Sequence, residues 1–189
     1  MKNNFAKGFL TLAFAAIAFV GAPEMAKAAA PLRPFAQPSP DYNAGWLEQQ
    51  VRHKLSTLPW YSVFDILQYR IDGDTVTLSG KVVLPIVKSD AVGAVKSIEG
   101  VRVVDRIQLL PVSPFDTQVR RQEYRSIFSY PPLSRYSMGV NPQIHIIVDN
   151  GNVTLVGSVS SQADKDAAGL RAKLVPDTFK VTNDLTVEG

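Results

Sequence analysis

Apolar residues fall at two different spacings along this chain, and the first spacing is helical. They recur at Leu47, Val51, Leu55 and Leu58, which places them on one side of a helix that Pro59 ends. After the connector "WYSVFD", the run "ILQYRI", the turn "DGDT" and the run "VTLSGKVV" follow with alternating apolar positions. This order predicts a helix followed by a hairpin of two antiparallel strands.

A second helix and a third strand complete the pattern. Ser89 is expected to cap a helix because Ala91, Val92, Val95 and Ile98 then repeat at helical spacing up to Gly100. The run "VRVVDRIQL" alternates apolar and polar residues and predicts the last strand.

The same order returns in the second half of the chain. A helical stretch from Val119 to Phe128 precedes "QIHIIV", the turn "DNGN" and "VTLVGSV". Ser161 is expected to cap a helix whose apolar stripe is formed by Ala163, Ala167, Leu170 and Leu174, and "FKVTNDLTV" predicts the closing strand. The near-identity of "DGDTVTLSG" and "DNGNVTLVG" in matching surroundings indicates a tandem duplication.

The predicted fold class is α+β, with two tandem αββαβ units. Each unit is expected to be a small three-stranded sheet with two helices on one face. The first unit is assigned to residues 45–112 and the second to residues 113–189. Such sheets have exposed edges and an open face, where another domain or a peptide docks, and pairing between the two units is one such contact. Trp60 and Tyr61 are expected to plug a core end or the contact between units.

The first 28 residues have the pattern of a cleaved secretory signal. Lys2 and Lys7 precede an apolar run from Phe9 to Val20, and "AKA" follows. The apolar run is shorter than the roughly 20 residues of a membrane span. Residues 29–44 are rich in proline and small residues and suit an extended leader. The predicted location is therefore periplasmic, or secreted.

Charge and residue types exclude several functions. Removal of residues 1–28 leaves 17 basic and 16 acidic residues, so the pI does not indicate nucleic-acid binding. The absence of cysteine excludes disulfides and a covalent lipid anchor. The only histidines, His53 and His145, have no metal-site or triad spacing. The two acidic turns fit hairpins better than calcium loops. We expect no cofactor, no metal and no enzymatic activity, and the oligomeric state stays open.

The duplicated motifs resemble the BON domain. An acidic or glycine-bearing turn precedes "VTLSG" or "VTLVG", a helix carries "DAVGAV" or "DAAGLRA", and "EGVRVVDRIQL" follows in the first unit. The resemblance implies a non-enzymatic envelope module that binds phospholipid and supports osmotic-stress tolerance or envelope integrity. The second unit departs from the pattern because "LVPDTFKV" lacks the glycine before the last strand.

One segment is locally cationic and suggests a binding surface. "VRRQEYRSIFSYPPLSRY" interleaves arginines with aromatic residues and contains one acid, Glu123. Arginines on a helix face can meet anionic headgroups while the apolar side rests on the core. The alternatives are a protein-interaction adaptor and a periplasmic stress chaperone, both without lipid affinity. The candidate lipid-surface residues are Arg120, Arg121, Arg125, Arg135, Lys165, Arg171 and Lys173.

Overall fold

A computed structural model describes residues 33–34, 45–139 and 141–188. The predicted signal peptide and all but two residues of the predicted leader lie outside these ranges. Those two residues, Arg33–Pro34, form a short strand, β1.

The first unit has the predicted order of elements. After β1, its elements are α1 (Trp46–Ser56), β2 (Ile66–Asp72), β3 (Thr75–Val82), α2 (Pro85–Lys96) and β4 (Arg102–Leu109). The second unit contains α3 (Pro114–Phe128), a single-turn α4 (Pro131–Ser134), a 3₁₀ turn (Arg135–Ser137), β5 (Ile144–Asp149), β6 (Asn152–Val159), α5 (Gln162–Lys173) and β7 (Lys180–Val187).

The two sheets have the same topology. In the first, β3 is antiparallel to β2 and parallel to β4; in the second, β6 is antiparallel to β5 and parallel to β7. The first sheet gains β1 as a fourth strand, which pairs with β2. Each sheet buries one face under its helices, around Leu67 and Leu78 in the first unit and Ile146 and Leu155 in the second. The predicted α+β fold of two αββαβ units is confirmed.

The helix starts show which capping predictions hold. The Ser161 hydroxyl accepts the N–H of Asp164, as the sequence predicts, and Ser113 caps α3 in the same way. The prediction for Ser89 is wrong: α2 begins earlier, at Pro85, and the Ser89 hydroxyl donates to the Ile86 carbonyl inside the helix. Proline at the first helical position has its φ already set for a helix, so it starts α2 one turn sooner.

The glycine that ends each repeated motif is required by the backbone. Gly80 and Gly157 have φ values of 125° and 129°, which side chains with a Cβ rarely adopt. A Cβ at Gly80 would lie 2.0 Å from the Ile66 carbonyl oxygen, and one at Gly157 would lie 1.9 Å from the Gln143 carbonyl oxygen. The shared glycine therefore lets β3 and β6 approach their antiparallel neighbours.

The missing glycine before the last strand is replaced by an aspartate. Gly100 of the first unit has φ 77°, and Asp177 takes a similar backbone conformation with φ 66°. Aspartate adopts this region more readily than most residues. The turn of the second unit is also one residue longer, and Thr178 is the additional residue.

Helix α5 packs on a different stripe from the predicted one. Ala168, Gly169 and Ala172 are buried, whereas Leu170 and Leu174 are exposed. A Cβ at Gly169 would lie 2.6 Å from Asn183 Nδ2 on β7. Small residues therefore face the sheet because α5 lies close to it, and the predicted stripe of Ala163, Ala167, Leu170 and Leu174 was wrong for both leucines and for Ala163, which is also exposed.

The two units meet through the connector between α1 and β2. Val63 is buried in the core of the second unit, and the Ile146 N–H on β5 donates to the Val63 carbonyl at 2.8 Å. The Tyr61 ring lies 5.5 Å from the His145 ring, so the predicted role at the contact between units holds for Tyr61. It does not hold for Trp60, which is 71% exposed.

The open faces of the sheets add to this contact. Ile66, Leu110 and Ile147 form a buried apolar cluster, and Lys81 of the first unit pairs with Asp149 of the second at 2.6 Å. The pairing between units that the open faces led us to expect is thus present as packing and an ion pair.

We expect Gly80→Ala and Gly157→Ala each to lower the free energy of unfolding by at least about 2 kcal/mol, because each adds φ strain to a backbone clash. Urea unfolding of residues 29–189 measures the effect. Gly93→Ala is the matched control: Gly93 lies in α2 with open space around it, so alanine there should leave stability unchanged or raise it by up to about 1 kcal/mol. Equal effects at Gly80 and Gly93 would contradict the explanation.

Candidate functional site

Helix α3 separates its charged residues by burial. Asp116, Arg120 and Glu123 are 1%, 3% and 0% exposed, whereas Arg121 and Arg125 are exposed. The buried stripe of α3 also contains Val119 and Ile127. The outward surface of α3 consequently presents two arginines and no acid, although the sequence of the helix contains two acids.

Each buried acid of α3 is engaged inside the second unit. Asp116 accepts hydrogen bonds from the Ser113 hydroxyl at 3.0 Å and from the Gly151 N–H at 2.8 Å, and so ties the start of α3 to the β5–β6 turn. Glu123 accepts a hydrogen bond from the Thr178 hydroxyl at 3.2 Å. Neither carboxylate is available to neutralise the outward arginines.

Arg120 has a structural position that contradicts its place among the candidates. Its guanidinium donates to the carbonyl oxygens of Pro111 and Val148, both at 2.8 Å. Burial lowers the pKa of Arg120, and the nearby Asp116 and Asp65 oppose that effect. Arg120 therefore joins α3 to β5 and to the link between the units and cannot reach a headgroup.

Helix α5 lies beside α3 and places further cations near the arginines. The Ser126 hydroxyl donates to the Arg171 carbonyl at 2.8 Å, and the Arg171 guanidinium lies 4.7 Å from the centre of the Tyr130 ring. Lys173, the last residue of α5, is exposed, whereas Lys165 is half-buried near the start of the helix. The structure thus groups Arg121, Arg125, Arg171 and Lys173 on one helix layer.

Arg135 is held by a local network. It donates to Asp164 and to the Tyr136 hydroxyl, at 2.8 Å and 2.7 Å, and Tyr136 also donates to Asp164 at 2.8 Å. The Tyr136 hydrogen bond is the main reason that the pKa of Asp164 is lowered. Arg135 is exposed, but its charge is already matched by Asp164 at the start of α5.

The contact between the units contains buried ionisable groups. The Asp65 carboxylate, 1% exposed, accepts hydrogen bonds from the Val83 N–H at 2.7 Å and from the Ser62 hydroxyl at 2.7 Å. Burial raises the pKa of Asp65, against the effect of these bonds. Burial also lowers the pKa of His145 to about 4, so this histidine is neutral near pH 7.

A cleft of about 620 Å³ lies between the open sheet faces. Gln68, Ser79 and Arg106 line one wall, and Ile147, Thr154 and Asp184 line the other. Its charges include both signs, and Lys81 on its wall is paired with Asp149. The cleft has no excess charge that would select an anion.

Each sheet edge is partly occupied by other groups of the chain. β1 pairs with β2, and the connector bonds to β5 through Val63. On β4, the Asp105 carboxylate accepts the Ile107 N–H at 2.9 Å, and on β7 the Asn183 side chain accepts the Leu185 N–H at 3.4 Å. Side chains that occupy edge N–H groups oppose the addition of another strand.

The described ranges, residues 33–34, 45–139 and 141–188, contain neither a candidate membrane span nor a metal-binding cluster. Within them, no helix is both long enough and apolar enough to cross a bilayer. Across the same residues, His, Asp and Glu side chains form no group of three that could hold a metal ion. The other histidine, His53, is exposed on α1.

Comparison with protein families matches the BON domain to residues 43–111 and 137–189. The chain belongs to the BON domain family. BON domains are linked to envelope and periplasmic proteins and are binding modules rather than catalysts. The two matched segments correspond to the two units, but they leave out residues 112–136, so α3 and its arginines are not part of the match.

No curated protein sequence matches this BON chain. Among solved structures, the C-terminal domain of CdsD, a structural protein of the type III secretion system of Chlamydia trachomatis, is similar at 12% identity and a TM-score of 0.31, over 81% of this chain and all of that one. A second CdsD structure has 13% identity and a TM-score of 0.30, over 75% of this chain and 92% of that one. These superpositions are too weak to inform function.

Sequence patterns gave part of this site. The cationic segment was visible as spacing, and Arg121 and Arg125 were found outward as the helical pattern predicts. Glu123 lies four residues from both Val119 and Ile127 and therefore continues their buried stripe, and Arg120 lies at its side, although both residues are charged. A polar residue at a core position of the helical period was the available signal.

We expect Glu123→Gln to change how the stability of the BON pair depends on pH. Burial raises the pKa of Glu123 to about 7 from 4.5. Its protonated form thus stabilises the fold fully below about pH 4.5, and this stabilisation is lost as pH rises through about 7. The variant should match wild type near pH 4 and exceed it by about 3 kcal/mol above pH 8, measured by urea unfolding.

His145→Phe is a useful comparison because the contribution of His145 to stability changes with pH in the opposite direction. Neutral His145 stabilises the fold above pH 6.5, and that stabilisation is lost as pH falls towards its folded pKa of about 4. The free energy of unfolding of the variant should therefore fall least below that of the wild type at low pH. A Glu123→Gln variant whose advantage does not grow from pH 4 to pH 8 would contradict the buried position of this carboxyl group.

We expect Arg120→Ala to lower the free energy of unfolding by about 3–5 kcal/mol, because it leaves the carbonyl oxygens of Pro111 and Val148 without their donor and removes the positive charge near the buried Asp116 and Asp65. Arg121→Ala, one residue away on the exposed side, should change stability by less than about 0.5 kcal/mol. Thermal or urea unfolding of both variants checks the assignment, and equal effects would refute it.

Proposed function

We propose that this BON protein is exported to the cell envelope, where it acts without catalysis by docking on anionic phospholipid surfaces and supports envelope integrity or osmotic-stress tolerance. The docking surface is the outward side of α3 together with the neighbouring part of α5. The predicted signal peptide and periplasmic location are consistent with this role and remain predictions.

The charge separation on α3 is the observation that supports the proposal. Folding removes Asp116 and Glu123 from the surface and leaves Arg121 and Arg125 outward. Arg171 and Lys173 lie on the adjacent helix. Basic residues near an anionic membrane contribute about 1 kcal/mol each, so four of them support weak and salt-sensitive attachment.

The alternative functions draw less support from the structure. An adaptor that adds a strand to an open edge would have to displace β1, the connector, or the side chains of Asp105 and Asn183. The inter-sheet cleft is open to a protein ligand, but its charges of both signs favour neither an acidic nor a basic partner. A chaperone role without lipid affinity would rest on scattered exposed apolar residues such as Trp60 and Met138.

We expect the Arg121→Ala/Arg125→Ala double variant to bind anionic vesicles about thirtyfold more weakly than the wild type, since two basic residues contribute about 2 kcal/mol. Co-sedimentation of the mature chain with phosphatidylglycerol–phosphatidylcholine vesicles at low salt measures the partition. Wild-type binding to these anionic vesicles should fall with added salt. Binding to vesicles of phosphatidylcholine alone should be weaker than binding to the anionic vesicles at any salt concentration.

The control variant is Lys96→Ala/Arg106→Ala, which removes the same charge from exposed positions of the first unit. It should bind like the wild type if the surface lies on the second unit. Equal losses in the two double variants would show attraction by net charge alone. No wild-type binding to any vesicle would reject lipid docking and favour a protein partner.

A further inference from the structure

Two exposed leucines at the C-terminal end of α5, one in the helix and one at its C-cap, lie beside the cations of the docking surface. Leu170 and Leu174 are 62% and 65% exposed and lie one turn apart, on the same side of the helix. Lys173 is exposed next to Leu174, and Arg171 follows Leu170. Large aliphatic side chains are thus turned outward on a helix whose buried positions hold alanine and glycine.

The packing of α5 on its sheet accounts for the buried side but not for the outward leucines. Ala168, Gly169 and Ala172 let α5 approach β7, where a Cβ at Gly169 would displace the Asn183 side chain. Nothing in that contact calls for leucine on the opposite side. Any polar residue with good helix propensity would serve there equally well.

The first unit provides an internal comparison. The offset in residue number between Gly80 and Gly157 is also the offset between the first residues, and between the last residues, of α2 and α5. The same offset pairs Gly93 with Leu170 and Ser97 with Leu174. Both positions of the first unit are exposed and carry no large side chain. The leucines therefore distinguish the second unit from the first at the same two places of one fold.

Helices α3 and α5 run in opposite directions, which aligns these leucines with the arginines. Ser126 contacts Arg171, Thr178 beyond the end of α5 reaches back to Glu123, and Arg135 beyond the end of α3 reaches Asp164 at the start of α5. The C-terminal half of α5 thus lies along the part of α3 that carries Arg121 and Arg125. The exposed acid of α5, Asp166, is at the other half.

We propose that Leu170 and Leu174 insert into the acyl boundary of an anionic bilayer while Arg121, Arg125 and Lys173 meet the phosphate groups. This inference rests on the proposed function and specifies how the docked surface is held. Apolar side chains flanked by cations are the arrangement by which interfacial helices bind in the plane of a membrane. Insertion adds an attraction that salt does not screen.

Two consequences follow from the position of the leucines. The helix layer of the second unit lies against the bilayer, and the cleft between the sheets, on the other face of that sheet, stays open to solvent. Binding to anionic vesicles also keeps a fraction that survives high salt, because the leucines contribute through burial of apolar area.

The test uses the absence of cysteine from the chain. In the mature full-length protein, Leu174→Cys and the matched Ser97→Cys of the first unit are each labelled with an environment-sensitive fluorophore. Addition of phosphatidylglycerol–phosphatidylcholine vesicles should shift the emission of the label at position 174 to shorter wavelength and increase it severalfold. The label at position 97 should not respond.

A second measurement removes the apolar contact and keeps the charges. Leu170→Gln/Leu174→Gln should lower the partition on anionic vesicles about tenfold and abolish the fraction that survives high salt. The control, Leu84→Gln/Ile86→Gln, changes two apolar residues of the first unit that are 42% and 49% exposed, and it should bind like the wild type.

The outcomes separate the insertion from the proposed function. Co-sedimentation with anionic vesicles without a response at position 174, or with unchanged binding of the glutamine variant, overturns insertion and leaves electrostatic docking in place. Absence of co-sedimentation overturns both. A response at position 174 and a tenfold loss in the glutamine variant support insertion.

Discussion

The structure depends on one short connector, residues 57–65, which belongs to the first unit in sequence and to both units in space. Val63 lies in the core of the second unit and accepts the Ile146 N–H, while the buried Asp65 accepts the Val83 N–H of the first. Small units bury a limited fraction of their surface, so a shared segment adds apolar burial to a core of marginal size. It also closes the edge of β5. The tandem arrangement is therefore one packed body in this region, with Arg120 linking α3 to the same place.

Burial of polar groups decides the character of the outer surface. Asp116 and Glu123 are engaged inside the second unit, and Asp164 holds Arg135, so both acids of α3 are withdrawn from its outward side. A net charge near zero for residues 29–189 conceals this separation. The surface is cationic because the acidic side chains of α3 are buried, and not because the chain has a large excess of basic residues.

The two BON units have kept a common sheet and diverged on their helices. The glycine at the end of the repeated motif and the strand registers are the same in both, because the backbone approach at Gly80 and Gly157 tolerates no Cβ. The outward side of the second helix has changed from Gly93 and Ser97 to Leu170 and Leu174. Solvent-facing positions carry few packing constraints, so they are free to acquire a binding role. The family match covers the sheets and α5 and stops short of α3, where the arginines lie.

The sequence alone predicts the duplication, the order of helices and strands, the two hairpins and the cap at Ser161, because these features depend on local periodicity and turn chemistry. It also indicated the cationic segment and, through helical spacing, that Arg121 and Arg125 project away from Val119 and Ile127. The packing of distant elements, by contrast, buries Arg120 and Glu123, rests α5 on Ala168 and Ala172, and places Val63 in the second core. Those outcomes depend on how closely elements that are distant in the chain approach one another. The spacing of residues along one helix does not predict that distance.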